Sequence, residues 1–326
     1  MTRTPLAPAP PAAVRPTRAP AVLRTVAIVA CVPYVTLKTA WMAGSTIGIP
    51  EGSVLLGNRA TLGLVNGVTV LMDSAVVVLA LLLTRPWGLR VRTWLLAFPL
   101  WVAAGLLSPI MAGFPLQLLV SAFGGTTSAD TAAEPFLDDW VFGVVYGGFI
   151  LQGLALGALF VRYARRRWAV LWQGRLRDLP AAPSARAAAA AGALAALLPA
   201  VMHLLWMCGA TLGLSARRID ERATDFHVLE GVRLAFVLTA VAGALLLAFG
   251  RHRASSLPVK VPLGAAWVGS GALAAWGGWL LLASLMPQDD RFNRSTGLLP
   301  LTYAVEMIAG VLLIGAVVSQ LRRRGA

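Results

Sequence analysis

Eight stretches of this chain are apolar over lengths that match a lipid bilayer: roughly 21–43, 63–84, 93–113, 139–161, 189–211, 229–249, 261–286 and 299–320. About 20 apolar residues in a helix cross the hydrocarbon layer. The composition agrees: 58% of residues are apolar and 13% charged, with a mean hydropathy of +0.73. A soluble domain cannot hide that much apolar surface. The expected fold class is all-α integral membrane, with eight transmembrane helices in contact with the lipid bilayer.

The net charge is +14, and its placement is more informative than its size. With the N-terminus in the cytoplasm, the inner segments hold Arg3, Arg15, Arg18, Arg24, Arg85, Arg90, Arg92, the arginines of 162–186, Arg251, Arg253, Lys260 and Arg322–Arg324. They hold a single acid, Asp178. This positive-inside pattern places both termini in the cytoplasm of a plasma-membrane protein. The basic balance is thus topological, and no nucleic-acid partner is implied.

The segment Trp41-Met-Ala-Gly-Ser-Thr-Ile-Gly-Ile49 recurs as Trp206-Met-Cys-Gly-Ala-Thr-Leu-Gly-Leu214, and at the same shift Lys38 falls on His203. Trp101-Val-Ala-Ala-Gly105 matches Trp267-Val-Gly-Ser-Gly271 more weakly, and Asn66-Gly-Val68 matches Glu230-Gly-Val232. The expected organisation is two four-helix repeats, 21–161 and 189–326. Four is even, so both share one orientation, as in parallel-repeat transporters. Residues 1–20, rich in Pro, Ala and Arg, are expected to be a disordered cytoplasmic tail. Residues 162–188 read as a basic amphipathic linker helix on the inner leaflet, and Phe114–Phe123 as an interfacial or re-entrant segment.

Ionisable groups inside a bilayer are costly, so each is a candidate for function. The substrate-binding candidates are Lys38, Asp73, His203 and Glu306, with Trp41 and Trp206 one turn from Lys38 and His203. Gln152, Glu230, Arg233 and Tyr303 are secondary candidates. Most lie toward the outer ends of their helices, which suggests one polar cavity open to the exterior. Plainer readings stand beside this. Lys38 can snorkel, His203 can hydrogen-bond between helices, Glu230 and Arg233 can pair at i, i+3, and the two tryptophans can sit in an aromatic belt. Gly44-x-x-x-Gly48, Gly209-x-x-x-Gly213, Gly143-x-x-x-Gly147 and Gly153-x-x-x-Gly157 have the spacing of close helix contacts, which marks the fourth helix as a central packing helix. The first two pairs equally allow the helix end to unwind.

No phosphate loop, zinc helix or pair of membrane histidines is present, and Cys31 and Cys208 form no C-x-x-C motif, so no cofactor or metal is implied. Asp220, Glu221, Asp225 and His227 could coordinate a metal, but the run 217–230 reads more simply as a solvated loop. No catalytic residue is assigned.

The segment His203-Leu-Leu-Trp206-Met-Cys-Gly209-Ala-Thr-Leu-Gly213-Leu resembles the His-x-x-Trp-x-x-Gly motif of small four-helix bacterial membrane proteins of unknown function. The likeness covers chiefly the first and fifth helices, with Lys38 in place of the histidine in the first copy. It implies a tandem four-helix unit and carries no activity. The function expected is binding or transport of a small solute through an outward-facing cavity. The alternatives are a membrane enzyme acting on a lipid or isoprenoid at the outer face, and a non-catalytic envelope assembly component.

Overall fold

The computed structural model describes residues 18–51, 53, 56, 59–127, 137–253, 256–285 and 296–325. The N-terminal tail falls almost wholly outside these residues. Among these residues there are eight long helices: α1 Ala19–Met42, α2 Arg59–Thr84, α3 Thr93–Ala122, α4 Asp139–Arg167, α5 Pro183–Met207, α6 Thr224–Arg253, α7 Lys260–Ser284 and α8 Leu298–Gly325. Each is long and apolar enough to cross a membrane. Among the described residues there is no sheet, only an isolated bridge between Arg175 and Pro258. The chain is a multi-pass membrane protein.

Side-chain layers show that neighbouring helices run antiparallel. Ala27 and Cys31 near the start of α1 pack with Leu79, Ala80 and Leu83 late in α2, Leu96 and Leu100 early in α3, and Leu156 and Leu159 late in α4. At the opposite end, Trp41 of α1 meets Val141 of α4. Helices α5–α8 repeat the scheme. Ala189, Leu247, Val259 and Val317 share one layer, and Met202, Trp206, Leu299 and Tyr303 share the other. One end of the bundle is therefore rich in arginine, and the other carries the loops after α1, α3, α5 and α7.

The last turns of α4 and α8 hold Arg165–Arg167 and Arg322–Arg324, where cations complement the helix dipole. These arginines also satisfy backbone carbonyls. Arg167 donates to Val91 O at 2.6 Å; Arg324 donates to Leu171 O at 3.0 Å and to Gln173 O.

Helices α5–α8 close into a bundle in which small residues bring backbones together. A Cβ at Gly269 would stand 2.6 Å from Ala240 N, and one at Gly310 would stand 2.5 Å from Ala274 N. Helices α1–α4 form an open arrangement, because α2 packs on α1 and α4 but barely on α3. The two sets of helices meet where α3 packs on α6 and α7. Gly105 and Gly271 face each other there, so closely that a Cβ at Gly105 would fall 2.1 Å from Gly271 O. Trp101 Nε1 donates to Ser270 Oγ at 3.1 Å, and Trp276 Nε1 donates to Leu106 O at 3.0 Å.

Four sequence expectations are corrected. Phe114–Ala122 is not a separate interfacial segment but the end of α3, which runs on through Pro99, Pro109 and Pro115. The linker is not one amphipathic helix. A single turn, Ala169–Trp172, is followed by extended chain and the 3₁₀ turn Leu176–Asp178, and Leu176 and Leu179 are buried against α6, α7 and α8. Their helical spacing is real, but these leucines gain more by entering that core than by lying on a leaflet. Third, the central packing helix is α7, which packs on α3, α6 and α8; of the α4 motif glycines only Gly153 is close-packed, against Met111, while Gly143, Gly147 and Gly157 have no neighbour within 4 Å of a built Cβ. Fourth, α5 starts at Pro183 and is interrupted at Ala196. Pro199 lacks the N–H that would bond back to Ala195, which loosens that turn.

Candidate functional site

The repeated motif forms a helix stop. Gly44 and Gly209 both have φ of +95°, the left-handed geometry that ends a helix without Cβ strain. Ser45 N donates to Ala40 O, and Ala210 N to Leu205 O, each at 2.9 Å. The tryptophans lock the stop. Trp41 Nε1 donates to Ile47 O at 2.7 Å, and Trp206 Nε1 to Leu212 O at 2.8 Å. Both rings are buried, so they are not part of an aromatic belt. The glycine pairs serve the turn and not a helix crossing, and Cys208 lies just past α5 and is exposed.

This stop fixes the residue one turn before it. On α5 that residue is His203, wholly buried, with the Trp206 ring edge-on at 5.5 Å. Its Nδ1 is 2.6 Å from Glu230 Oε2 of α6, and its Nε2 is 3.6 Å from Glu306 Oε2 of α8. Arg233 Nη1 stands 3.5 Å from Glu230 Oε1. Tyr303, one turn before Glu306, accepts a hydrogen bond from Arg218 at 3.1 Å. Gly277 on α7 makes the room, since a Cβ there would lie 2.9 Å from Tyr303 O and 3.2 Å from Glu306 Cβ.

A neutral imidazole carries one N–H and one lone pair. Both nitrogens of His203 face carboxylate oxygens, and a lone pair aimed at a carboxylate is repulsive. The 3.6 Å separation is too long for a direct bond. His203 Nε2, Glu306 Oε2 and Arg233 Nη1 are buried atoms without a hydrogen-bond partner.

Beside this cluster is a cavity of about 750 Å³ at the loop end, between α3, α4, α6, α7 and α8. Arg233 and Glu306 line it, with Gln117, Asp139, Arg217, Glu221 and Asp225 toward the rim. The other cluster members stand behind this wall. The candidate metal-binding loop is occupied differently. Arg217 pairs with Glu221 at 2.9 Å, Gln117 donates to Asp225 at 3.0 Å, and His227 Nδ1 lies 3.0 Å from Met207 O. Among the described residues no group of His, Cys, Asp and Glu could hold a metal ion.

The remaining candidates gather elsewhere. Lys38 rests over the rings of Trp41 at 4.8 Å and Tyr34 at 5.1 Å and makes no ion pair with Asp73. Asp73 instead accepts from Gln152 Nε2 at 3.1 Å. These two line a second cavity between α2, α3 and α7, and Lys38 lines neither. The single polar cavity expected from sequence is thus two spaces with different linings. Arg218 was missed. It belongs to a charge-mixed run that reads as solvated loop, and nothing in its spacing shows that it reaches Tyr303.

No protein family, curated protein or solved structure matches this chain.

Proposed function

We propose that this protein binds a small polar solute in the loop-end cavity and carries it across the membrane. The observation that carries this reading is that Arg233 and Glu306 line that cavity while their buried Nη1 and Oε2 atoms make no hydrogen bond, each having only a longer approach, to Glu230 at 3.5 Å and to His203 at 3.6 Å. Buried charged groups of opposite sign with hydrogen bonds still to make favour a ligand that supplies both, a zwitterion being the simplest. His203, between Glu230 and Glu306, would hold the proton exchanged as the solute binds and leaves. By the positive-inside rule the arginine-rich end is cytoplasmic, with both termini, and the cavity opens to the exterior.

The architecture proposed with this is two parallel four-helix repeats, 21–161 and 189–326, a tandem form of the small four-helix unit that the motif resembles. The matching helix stops and the Gly105–Gly271 crossing support it. So does its layout, because parallel repeats with a cavity between them are a transporter arrangement.

The test is a thermal-stability screen of the purified protein against amino acids and betaines. At least one should raise the unfolding midpoint of wild type and leave Glu306→Gln and Arg233→Lys unmoved. No response to any member, or equal shifts in both variants, would overturn the proposal.

The 2.6 Å contact between His203 and Glu230 also favours a second reading, a membrane enzyme in which a carboxylate orients a histidine base. Against it, His203 is wholly buried, and the cavity wall presents Arg233 and Glu306 instead. An enzyme would turn over a lipid-linked substrate in wild type and lose that turnover in His203→Gln. A transporter would show no such turnover.

A further inference from the structure

The second cavity, of about 400 Å³, is lined mainly by apolar groups of α2, α3, α4 and α7. Six aromatic side chains face it: Tyr34, Phe98, Tyr146, Phe149, Trp276 and Trp279. In its wall is a carboxylate. Asp73 is 5% exposed and Gln152 1%. Gln152 Nε2 donates to Asp73 Oδ1, while Asp73 Oδ2 and Gln152 Oε1 have no partner. Two acceptor oxygens are therefore left unsatisfied in an otherwise apolar space.

Helices α2 and α3, which flank the cavity, scarcely touch, and Phe98 and Met72, which line it, are 61% and 36% exposed, so the gap between these two helices is the route by which a molecule in the bilayer would enter. Asp73 lies near the middle of the apolar span Gly63–Thr84, too deep for its short side chain to reach water. Lys38, the cation that bears on Asp73 electrostatically, is held on the faces of Trp41 and Tyr34 and makes no hydrogen bond to the buried Oδ2.

A buried carboxylate in a cavity lined by aromatic rings is an arrangement suited to an organic cation. The rings attract the charge through their quadrupoles, most strongly where water is excluded, and the carboxylate serves as counter-ion. We propose that the cavity between α2, α3 and α7 is a membrane-accessible binding site for a hydrophobic organic cation, with Asp73 as its counter-ion. The volume suits one drug-sized molecule. Ile110, Tyr146 and Trp276 are walls of both cavities, so an occupant here would press on the walls of the solute site. The cation site does not depend on the solute reading, because it contains none of the His203 cluster.

The experiment uses tetraphenylphosphonium and its anionic counterpart of the same shape, tetraphenylborate, with the purified full-length protein in detergent. Tritiated tetraphenylphosphonium should bind saturably to wild type. Asp73→Asn, which keeps the side-chain shape, should weaken binding about tenfold, the loss of a desolvated charge pair. Asp73→Glu and Glu306→Gln should leave it within about threefold. Each variant is first checked by size-exclusion profile and melting temperature. If Asp73→Asn does not fold, wild type alone decides: tetraphenylborate, assayed in a separate sample because it ion-pairs with tetraphenylphosphonium, should show no saturable binding. Equal affinity in wild type and Asp73→Asn, saturable binding of tetraphenylborate, or no saturable binding of tetraphenylphosphonium would each overturn the proposal.

Discussion

His203 has two carboxylates within reach, and they are not equivalent. Glu230 is 2.6 Å from Nδ1 and close to Arg233, whereas Glu306 stands 3.6 Å from Nε2. Replacing Glu230 with Leu strips His203 of its bond and leaves Arg233 buried without its partner. Breaking a buried pair of this kind costs about 3–5 kcal/mol. Glu306→Gln removes no bond that is made, and it should cost less than about 1 kcal/mol. Thermal unfolding of the two variants in detergent checks the order. Similar destabilisation by both would show that the trio is held symmetrically. The scarcity of intramembrane charge was enough to single out His203, Glu230, Arg233 and Glu306 from the sequence. Their partnership was not readable, because it depends on helix rotation. Lys38 occupies the same place in the motif as His203, yet it rests on aromatic rings, and α2 has the uncharged Asn66 where the sequence match gives α6 Glu230.

At the scale of elements, apolar length located all eight helices. It erred where a helix continued past the bilayer thickness, as at the end of α3. It erred again where apolar spacing in the linker served a core and not a lipid surface. Glycine spacing also misled. A G-x-x-x-G pattern reports a smooth face but not what lies opposite it. Gly143 in α4 faces open space, whereas Gly105, in no such pattern, lies against the backbone of Gly271. Gly105→Ala should therefore lower stability by about 1–3 kcal/mol, as overpacking does. Gly143→Ala should be neutral or slightly stabilising, since Ala is the better helix former. Melting temperatures of the two single variants decide it, and a larger loss at Gly143 would contradict this packing of α3 on α7.

For the whole molecule, the sequence supported eight spans and a recurring helix stop that is built alike after α1 and α5. It could not show how the halves differ. Helices α5–α8 close around His203, while α2 stands apart from α3, and beside that gap is an apolar cavity holding Asp73, which meets the polar one at Ile110, Tyr146 and Trp276. One pattern of charges thus divides into two sites, a consequence of packing that no spacing records. In the orientation proposed above, the polar cavity, with Arg233 and Glu306 on its wall, opens to the exterior. The most direct measurement is cysteine labelling in intact cells, after Cys31→Ala and Cys208→Ala remove the native thiols. Val232→Cys lies on the cavity wall, while Leu238→Cys, further along α6, faces outward from the bundle with 56% of its surface exposed. A membrane-impermeant maleimide added outside should label residue 232 and spare 238. Protection of residue 232 in intact cells, with labelling only after the membrane is permeabilised, would contradict the account.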